Sequence, residues 1–486
     1  MSSSTSDHCD STSKLPLRPI PGGYGLPLFG AIADRFDYFY NQGREKFFSS
    51  RIQKYKSTVF RTNMPPGPFN ASNPKVVAVL DAASFSILFD VSKVEKRDVF
   101  TGTYMPSTAF TGGYRVCPYL DPSEPKHQQI KSFFFSLLSS RHDQVVPLLR
   151  SHLSELFRKL EDKVSDKGQA PFNSMSDNEL FNFVFRYYCG KDPAQTNLGS
   201  CGSKLFDLWV LPQLLPVGSA GLPWYFFPIN VVEDFLLHTV PFPGWSLKWD
   251  HNKLYKAIDS SATEALGQAP SFGLTREEAC NNILFVLGFN SYGGVKIVVP
   301  TLMKWVGSAG PALHKRLAEE IRSVVKQEGG VTFNALEKMA LAKSVVWETL
   351  RIEPPVPYQY GKAKRDLIIE SHEEAFEVKK GEMIFGFQPF ATKDGKVFED
   401  ADKFVGDRFV GEGETLLRYV YWSNGRETED PTPENKQCPG KDLVVLMLRV
   451  ILVELFLRYD TFEVEIGTPT IGPTVTVKSL TKATNS

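Results

Sequence analysis

Apolar residues recur at helical spacing along most of this chain, and only short runs alternate with the period of a strand. Helical patterns fall at 34–55, 126–138, 145–167 and 177–188, then at 275–304, 312–328, 333–352 and 443–458. Short strands are predicted at 58–61 and 76–79. A hairpin-like pair is predicted at 367–369 and 376–379, and a further strand at 383–387, after Gly381. The run LPLRPIPGGYGLPLFG at 15–30, rich in Pro and Gly, predicts an extended lead-in. No internal repeat and no long polar linker interrupts the pattern. The expected fold class is therefore mainly α with small β-sheets. One domain is expected over 15–486, behind a disordered polar leader at 1–14.

At 486 residues the chain can bury a large core. Its 37 Phe and 33 Pro suit a broad apolar-lined pocket. The 55 basic and 55 acidic residues cancel, which removes the electrostatic footprint a nucleic-acid partner needs. Six cysteines (Cys9, Cys117, Cys189, Cys201, Cys280 and Cys438) show no paired spacing, which argues against a disulfide framework and for a reducing compartment. The leader is Ser-rich, carries Asp7 and Asp10, and has neither the apolar run of a secretory signal nor the Arg-rich, acid-poor character of a transit peptide. A cytoplasmic or peripherally membrane-associated location is expected, with no clear transit peptide to support a plastid one. The most apolar stretch, 443–457, includes Arg449 and Glu454 and reads as a buried core helix, so no membrane span is expected.

Cys438 carries the chemistry. It sits in Lys436-Gln437-Cys438-Pro439-Gly440, immediately before the last long helical pattern. A lone buried cysteine is more often a small hydrophobe than a ligand. Here a helix N-terminus follows it and a lysine lies two places before it, a setting that favours the thiolate and suits an axial ligand to haem iron. A thiolate ligand favours cleavage of an O–O bond. Upstream, Glu348-Thr349-Leu350-Arg351 places two charges at i,i+3 on a helix that ends at Pro354-Pro355, and Asp407-Arg408-Phe409 follows a long loop. Such pairs are common as weak surface contacts. A buried network of Glu348, Arg351 and Arg408 would instead brace the cysteine loop.

In order and rough spacing, the Glu-x-x-Arg pair, the Arg-Phe step and the Cys-x-Gly loop resemble the cytochrome P-450 superfamily. The resemblance is closest to its plant-type branch acting on fatty-acid hydroperoxides, the allene oxide synthases, hydroperoxide lyases and divinyl ether synthases. It runs from Pro21 to about Gly467. It rests on PPGPF at 65–69, FTGTYMPSTAFTGGYR at 100–115, YLDPSEPKH at 119–127, GFNSYGG at 288–294, EPPVPYQYGKAK at 353–364 and YWSNGRETEDPTPENKQCPGKD at 421–442. Ten residues, 426–435, separate Gly425 from Lys436 where the superfamily has one, a mark of the hydroperoxide branch. Their acids and prolines predict a surface excursion that leaves little room for a reductase.

The resemblance implies a haem-thiolate fold and haem b with Cys438 as the iron ligand. Lys96, His127, Lys131 and Lys436 would hold the haem propionates. His127 and Lys131 are spaced i,i+4 and can face one haem edge. The bland reading of the lysines is solvated surface. Oxygen-activating relatives carry an acid followed by Thr or Ser on the central helix, whereas this chain reads Gly288-Phe289-Asn290-Ser291-Tyr292-Gly293-Gly294. An amide cannot relay protons as a carboxyl group does. The site could still use a peroxide already made, and the resemblance implies that Asn290 hydrogen-bonds the peroxide group and that Lys296 lies near the substrate. The alternative for Asn290 is a polar residue bonded to its own backbone. Phe100 and Ser291 occupy positions where lyases often differ, and both point to dehydration of the hydroperoxide to an allene oxide without O2 or a reductase. Scission by a lyase, divinyl ether formation and reductase-dependent monooxygenation are the other readings.

Overall fold

The computed structural model describes residues 14–219, 224–467 and 472–484, so the expected leader lies outside the described residues but for Lys14. The chain divides into two compact units: residues 1–105, 215–241 and 356–394 form the first, and 106–214, 242–355 and 395–486 the second.

The first unit carries the larger sheet. Its strands run in the spatial order Val59–Asn63, Lys75–Val79, Met383–Phe387, Tyr358–Ala363, Val94–Glu95. All pairings are antiparallel except that of Lys75–Val79 with Met383–Phe387. Four of the five residues in Lys75–Val79 and all five in Met383–Phe387 are buried, the near-continuous apolar pattern of strands covered on both faces. Phe47 and Phe48, from the helix Arg44–Tyr55, pack with Phe60, Val76, Ala78 and Phe385 in one core. Gly386 is required there, because a Cβ would sit 2.4 Å from the Phe85 ring. A smaller sheet joins Leu17–Arg18, Ala375–Val378 and Leu367–Glu370. The pattern read at 34–55 is divided by a π-turn, Asp37–Asn41, and by Gly43 at φ 77°, a left-handed conformation that glycine adopts freely.

One segment of this unit is inside out. Over Phe227–Glu233 and the π-turn Asp234–Thr239, the polar side chains Asn230, Glu233, Asp234 and His238 are buried. Phe227, Ile229, Val231, Val232, Phe235 and Leu236 are exposed. Arg35 holds Asp234 through two bonds of 2.5 and 2.7 Å, and the His238 ring donates to the Pro216 carbonyl at 3.0 Å and stacks on Phe39. No helical pattern is legible here in the sequence, because the usual assignment of apolar residues to the core is reversed.

The second unit is helical. The elements expected at 126–138, 145–167 and 177–188 are the helices Pro125–Ser140, Val145–Lys167 and Phe172–Cys189. Pro125 starts the first, and left-handed Gly168 and Gly190 end the others. The pattern at 333–352 is two helices, Phe333–Lys338 and Ala340–Ile352, parted at Met339. Lys441–Arg458 is the buried core helix expected from its apolar run, with Arg449 paired to Glu337 and Glu454 to Arg150. Beyond the sequence reading, Tyr459–Gly467 and Thr474–Lys482 form an antiparallel hairpin that also pairs with Ala170–Pro171.

The central helical run extends over 34 residues, Arg276–Ala309, opened by Thr275, whose hydroxyl accepts from the Glu278 amide. By length and composition it could cross a membrane, which corrects the expectation that no stretch passes that test. More than half of its most apolar window is buried within the protein, the pattern of a core helix. Its middle, Val286–Tyr292, is a π-turn.

Candidate active site

The cysteine segment begins at a two-residue turn. Trp422 pairs with Gly425 across Ser423 and Asn424, and Asn424 takes φ 63°. The Ser423 carbonyl accepts the Cys438 amide at 3.2 Å. Gly425 must lack a side chain, since a Cβ would lie 2.5 Å from the Gln437 side chain. Helix Lys441–Arg458 follows at once, and the Gly440 amide bonds to the cysteine sulfur. Burial nevertheless pushes the Cys438 thiol up from its ordinary range, against the lowering by the Gly440 amide and the Lys131 cation. A coordinating metal ion deprotonates a thiol outright.

The inserted residues 426–435 do not form a mere surface excursion. Glu427 accepts from the indoles of Trp347, at 3.0 Å, and Trp422. Lys441 donates to the carbonyls of Glu427 and Glu429 at 2.8 and 2.9 Å. Asn435 closes the far end: its Oδ1 accepts the amides of Thr432 and Gln437, each at 3.1 Å, and its Nδ2 donates to the Asp430 carbonyl at 2.8 Å. Acids and prolines mark solvated loops only while their polar groups point to water. Here Glu427 and Asn435 turn inward, while Asp430 and Glu434 stay exposed.

The insertion meets the helix Pro125–Ser140. His127 donates from Nδ1 to the Pro433 carbonyl at 3.1 Å. Burial, followed by the charges of Lys436 and Lys131, lowers the His127 pKa to about 3, so the ring is neutral. Lys131, 1% exposed, donates to the Asn435 carbonyl and Oδ1 at 2.6 and 2.9 Å. Lys436 donates to the carbonyls of Cys117, Pro118 and Leu120, which occupy all three of its N–H groups. Burial lowers both lysines to about 8. Neither makes an ion pair with a carboxylate among the described residues.

Behind the loop, Glu348 and Arg351 are fully buried and joined by bonds of 2.7 and 2.8 Å. Arg408 Nε reaches both Glu348 oxygens at 3.0 and 3.1 Å. Arg351 donates onward to the carbonyls of Ala401 and Lys403, and the Val405 amide donates to Glu348. Phe409, after Arg408, is buried, and its amide donates to the Ser344 hydroxyl at 2.9 Å. The three charges thus form one network rather than separate surface pairs.

On the central helix, the π-turn places Asn290 at an exposed position between half-buried Phe289 and Ser291, and its side chain bonds to no described residue. The self-bonded alternative therefore does not hold. Phe289 stacks on Phe285 with centroids 4.9 Å apart. Gly288 admits Phe206, whose ring would lie 2.3 Å from a Cβ. Ser291 donates to the Tyr188 hydroxyl at 3.1 Å. Lys296 is engaged by Asp207 at 2.7 Å and Asp177 at 3.3 Å, and burial raises Asp177 to about 6. In the first unit, Lys96 is 2% exposed and donates to the Tyr360 carbonyl, while the Phe100 ring meets Tyr104 edge-on at 6.4 Å.

This donor set fits a haem. The Cys438 sulfur precedes a helix, and near it stand the buried Lys131 and Lys436 ammonium groups, which have no carboxylate partner among the described residues, the chemistry that an iron ligand and an acidic edge would call for. Cys438, Lys131, His127, Lys436, Glu348, Arg351 and Arg408 were all marked in the sequence. Asn435, Glu427, Trp347, Tyr188, Asp177 and Asp207 were not, because each acts through a partner distant in sequence.

The Cytochrome P-450 family profile matches residues 309–481. The chain is 54% identical over 476 residues to allene oxide synthase 3 of Solanum lycopersicum, covering 98% of this chain and 96% of that protein. It is 54% identical over 477 residues to an allene oxide synthase of Parthenium argentatum, covering 98% and 99%. To the chloroplastic allene oxide synthase of Arabidopsis thaliana it is 55% identical over 471 residues, covering 96% and 90%.

Proposed function

This chain belongs to the allene oxide synthase family of the cytochromes P-450, and we propose that it dehydrates a polyunsaturated fatty-acid hydroperoxide to an unstable allene oxide. The observation that carries the reading is Asn290, an amide without a partner among the described residues, on a helix whose residues 288–294 include no carboxyl group. Its Nδ2 can donate to a peroxide oxygen and its Oδ1 can accept the hydroperoxide O–H. Without a carboxyl–hydroxyl relay, this turn lacks the proton delivery that building a peroxide from O2 needs. Loss of water from the hydroperoxide balances without an external reductant, so no reductase is required.

When bound, haem supplies the homolytic opening of the O–O bond. Cys438 would hold its iron and Lys131 a carboxylate, with His127 and Lys436 beside them. Among these, Lys131 is best equipped, with an N–H left over. A neutral His127 that donates through Nδ1 offers only an acceptor at Nε2. Lys296 would lie near the substrate, its charge shared with Asp177 and Asp207. Ser291, held by Tyr188, and Phe100 would favour dehydration over scission of the opened substrate.

Incubation of the protein with 9- and 13-hydroperoxides of linoleic and linolenic acid tests the reading. Ketols and cyclopentenone are expected, and short aldehydes with oxo-acids would replace it with a lyase. In the same assay Phe100→Leu is expected to move product toward chain cleavage, and an unchanged profile removes its role.

Contact with a lipid surface is part of the proposal. The inside-out segment at 227–239 presents six apolar side chains and no exposed charge, and both of its acids are buried. Such a face suits the acyl boundary where a lipid substrate resides. Co-sedimentation with lipid vesicles should fall on Phe235→Ser with Leu236→Ser; equal sedimentation of the variant overturns the contact. The chloroplast designation of the Arabidopsis relative supports a plastid location beside the cytoplasmic one, and fractionation of the full chain distinguishes them.

A further inference from the structure

The buried lysines near the cysteine are not equivalent. An ammonium group has three N–H donors. All three of Lys436 are taken by backbone carbonyls, from Cys117, Pro118 and Leu120. Lys131 spends two, both on Asn435, one on its carbonyl at 2.6 Å and one on its Oδ1 at 2.9 Å. The third N–H of Lys131 bonds to no described residue.

Asn435 is itself held rigidly. Its Oδ1 also accepts the amides of Thr432 and Gln437, and its Nδ2 donates to the Asp430 carbonyl. These contacts fix which end of the amide faces Lys131, since a flipped amide would set its NH2 against three donors. The residue lies in the insertion that lengthens the cysteine loop, three positions before Cys438. It thus joins the segment bearing the sulfur to the helix Pro125–Ser140 that bears Lys131.

We propose that Asn435 is a positioning residue for the haem: it chelates the Lys131 ammonium through its carbonyl and side-chain amide, leaving one N–H for a propionate. On this view the insertion works as an internal clamp on the cofactor's acidic edge. Partners that orient a binding group typically contribute 10- to 100-fold to the affinity of a metal site. The proposal rests on the haem reading but not on the choice of product, so it survives even if the product assay returns a lyase.

The test is the rate at which the purified holoenzyme loses haem to excess apomyoglobin, read by absorbance. Asn435→Ala should release haem about 10-fold faster than wild type. Asn435→Asp should release it at least as fast, because a carboxylate keeps the acceptor but neutralises Lys131. In a Lys131→Met background both substitutions should lose their effect, as residues that act through one another are not additive. A merely structural role would lower the thermal midpoint and leave Asp milder than Ala. Wild-type release from Asn435→Ala, or equal acceleration by Asn435→Asp with and without Lys131, overturns the proposal.

Discussion

The cysteine segment and the π-turn at 286–292 belong to the same unit and are built on opposite rules. In the segment 421–440, backbone and side-chain polar groups are tied at every few residues: Cys438 to Ser423, Lys441 to Glu427 and Glu429, Asn435 to four partners. Behind it lies a charge network with no exposed member at Glu348 or Arg351. At the π-turn Phe206 packs against Gly288 and Tyr188 bonds Ser291, but Asn290 bonds to no described residue. A ligand must be held in one geometry through many turnovers. A residue that reads a reacting group has to keep its hydrogen bonds in reserve, and π-turns recur where helices serve such sites.

Substitutions should separate the two rules. Cys438→Ser is expected to abolish the haem-thiolate absorbance entirely, and a normal spectrum would remove the ligand assignment. Glu348→Ala should be nearly as severe by another route. It strands two arginines, one of them fully buried, and breaking a buried pair costs about 3–5 kcal/mol. Its expected signs are a large drop in soluble yield and in the urea midpoint. If Glu348→Ala unfolds like wild type, the brace is dispensable.

Asn290→Ala should behave in the contrary way. Folding and haem content should stay near wild type while kcat falls about 10²- to 10³-fold, the range for removing one donor aimed at a reacting oxygen. Loss of haem without loss of specific activity per haem would place Asn290 with the holding residues instead.

The smallest effect concerns pH. His127 is held neutral, its pKa lowered to about 3 by burial and then by the lysine charges. The unfolded ring binds a proton near pH 6.5, so between about pH 6.5 and 3 the unfolded state binds more protons, and stability falls as pH falls. At pH 5 this contributes about 2 kcal/mol of destabilisation relative to neutral pH. His127→Gln should lose correspondingly less stability on acidification from pH 7 to 5, measured by denaturant unfolding at matched haem content. Parallel losses in the two proteins would show that His127 titrates normally.

Much of the fold was legible because its elements obey local rules. The apolar run at 443–457 is a buried helix despite Arg449 and Glu454, and the strands at 76–79 and 383–387 lie within one residue of their expected ends. The segment at 227–239 was illegible because it reverses the rule that apolar residues turn inward. The insertion at 426–435 misled for a similar reason. Its composition is that of a solvated loop, while Glu427 and Asn435 spend their polar atoms on the interior.

The sequence by itself determined the family, the sulfur at Cys438, the charged trio of Glu348, Arg351 and Arg408, and the amide at Asn290 in place of a proton relay. These are matters of residue type and spacing, which a chain displays without folding. Only the tertiary structure decided which polar atoms are spent and which remain. Among the described residues, Lys436 is saturated by three carbonyls, Lys131 keeps one donor because Asn435 takes two, and Asn290 keeps its whole amide. That distinction depends on hydrogen bonds between residues some 300 positions apart, such as Lys131 and Asn435, and no local pattern can encode such a pairing.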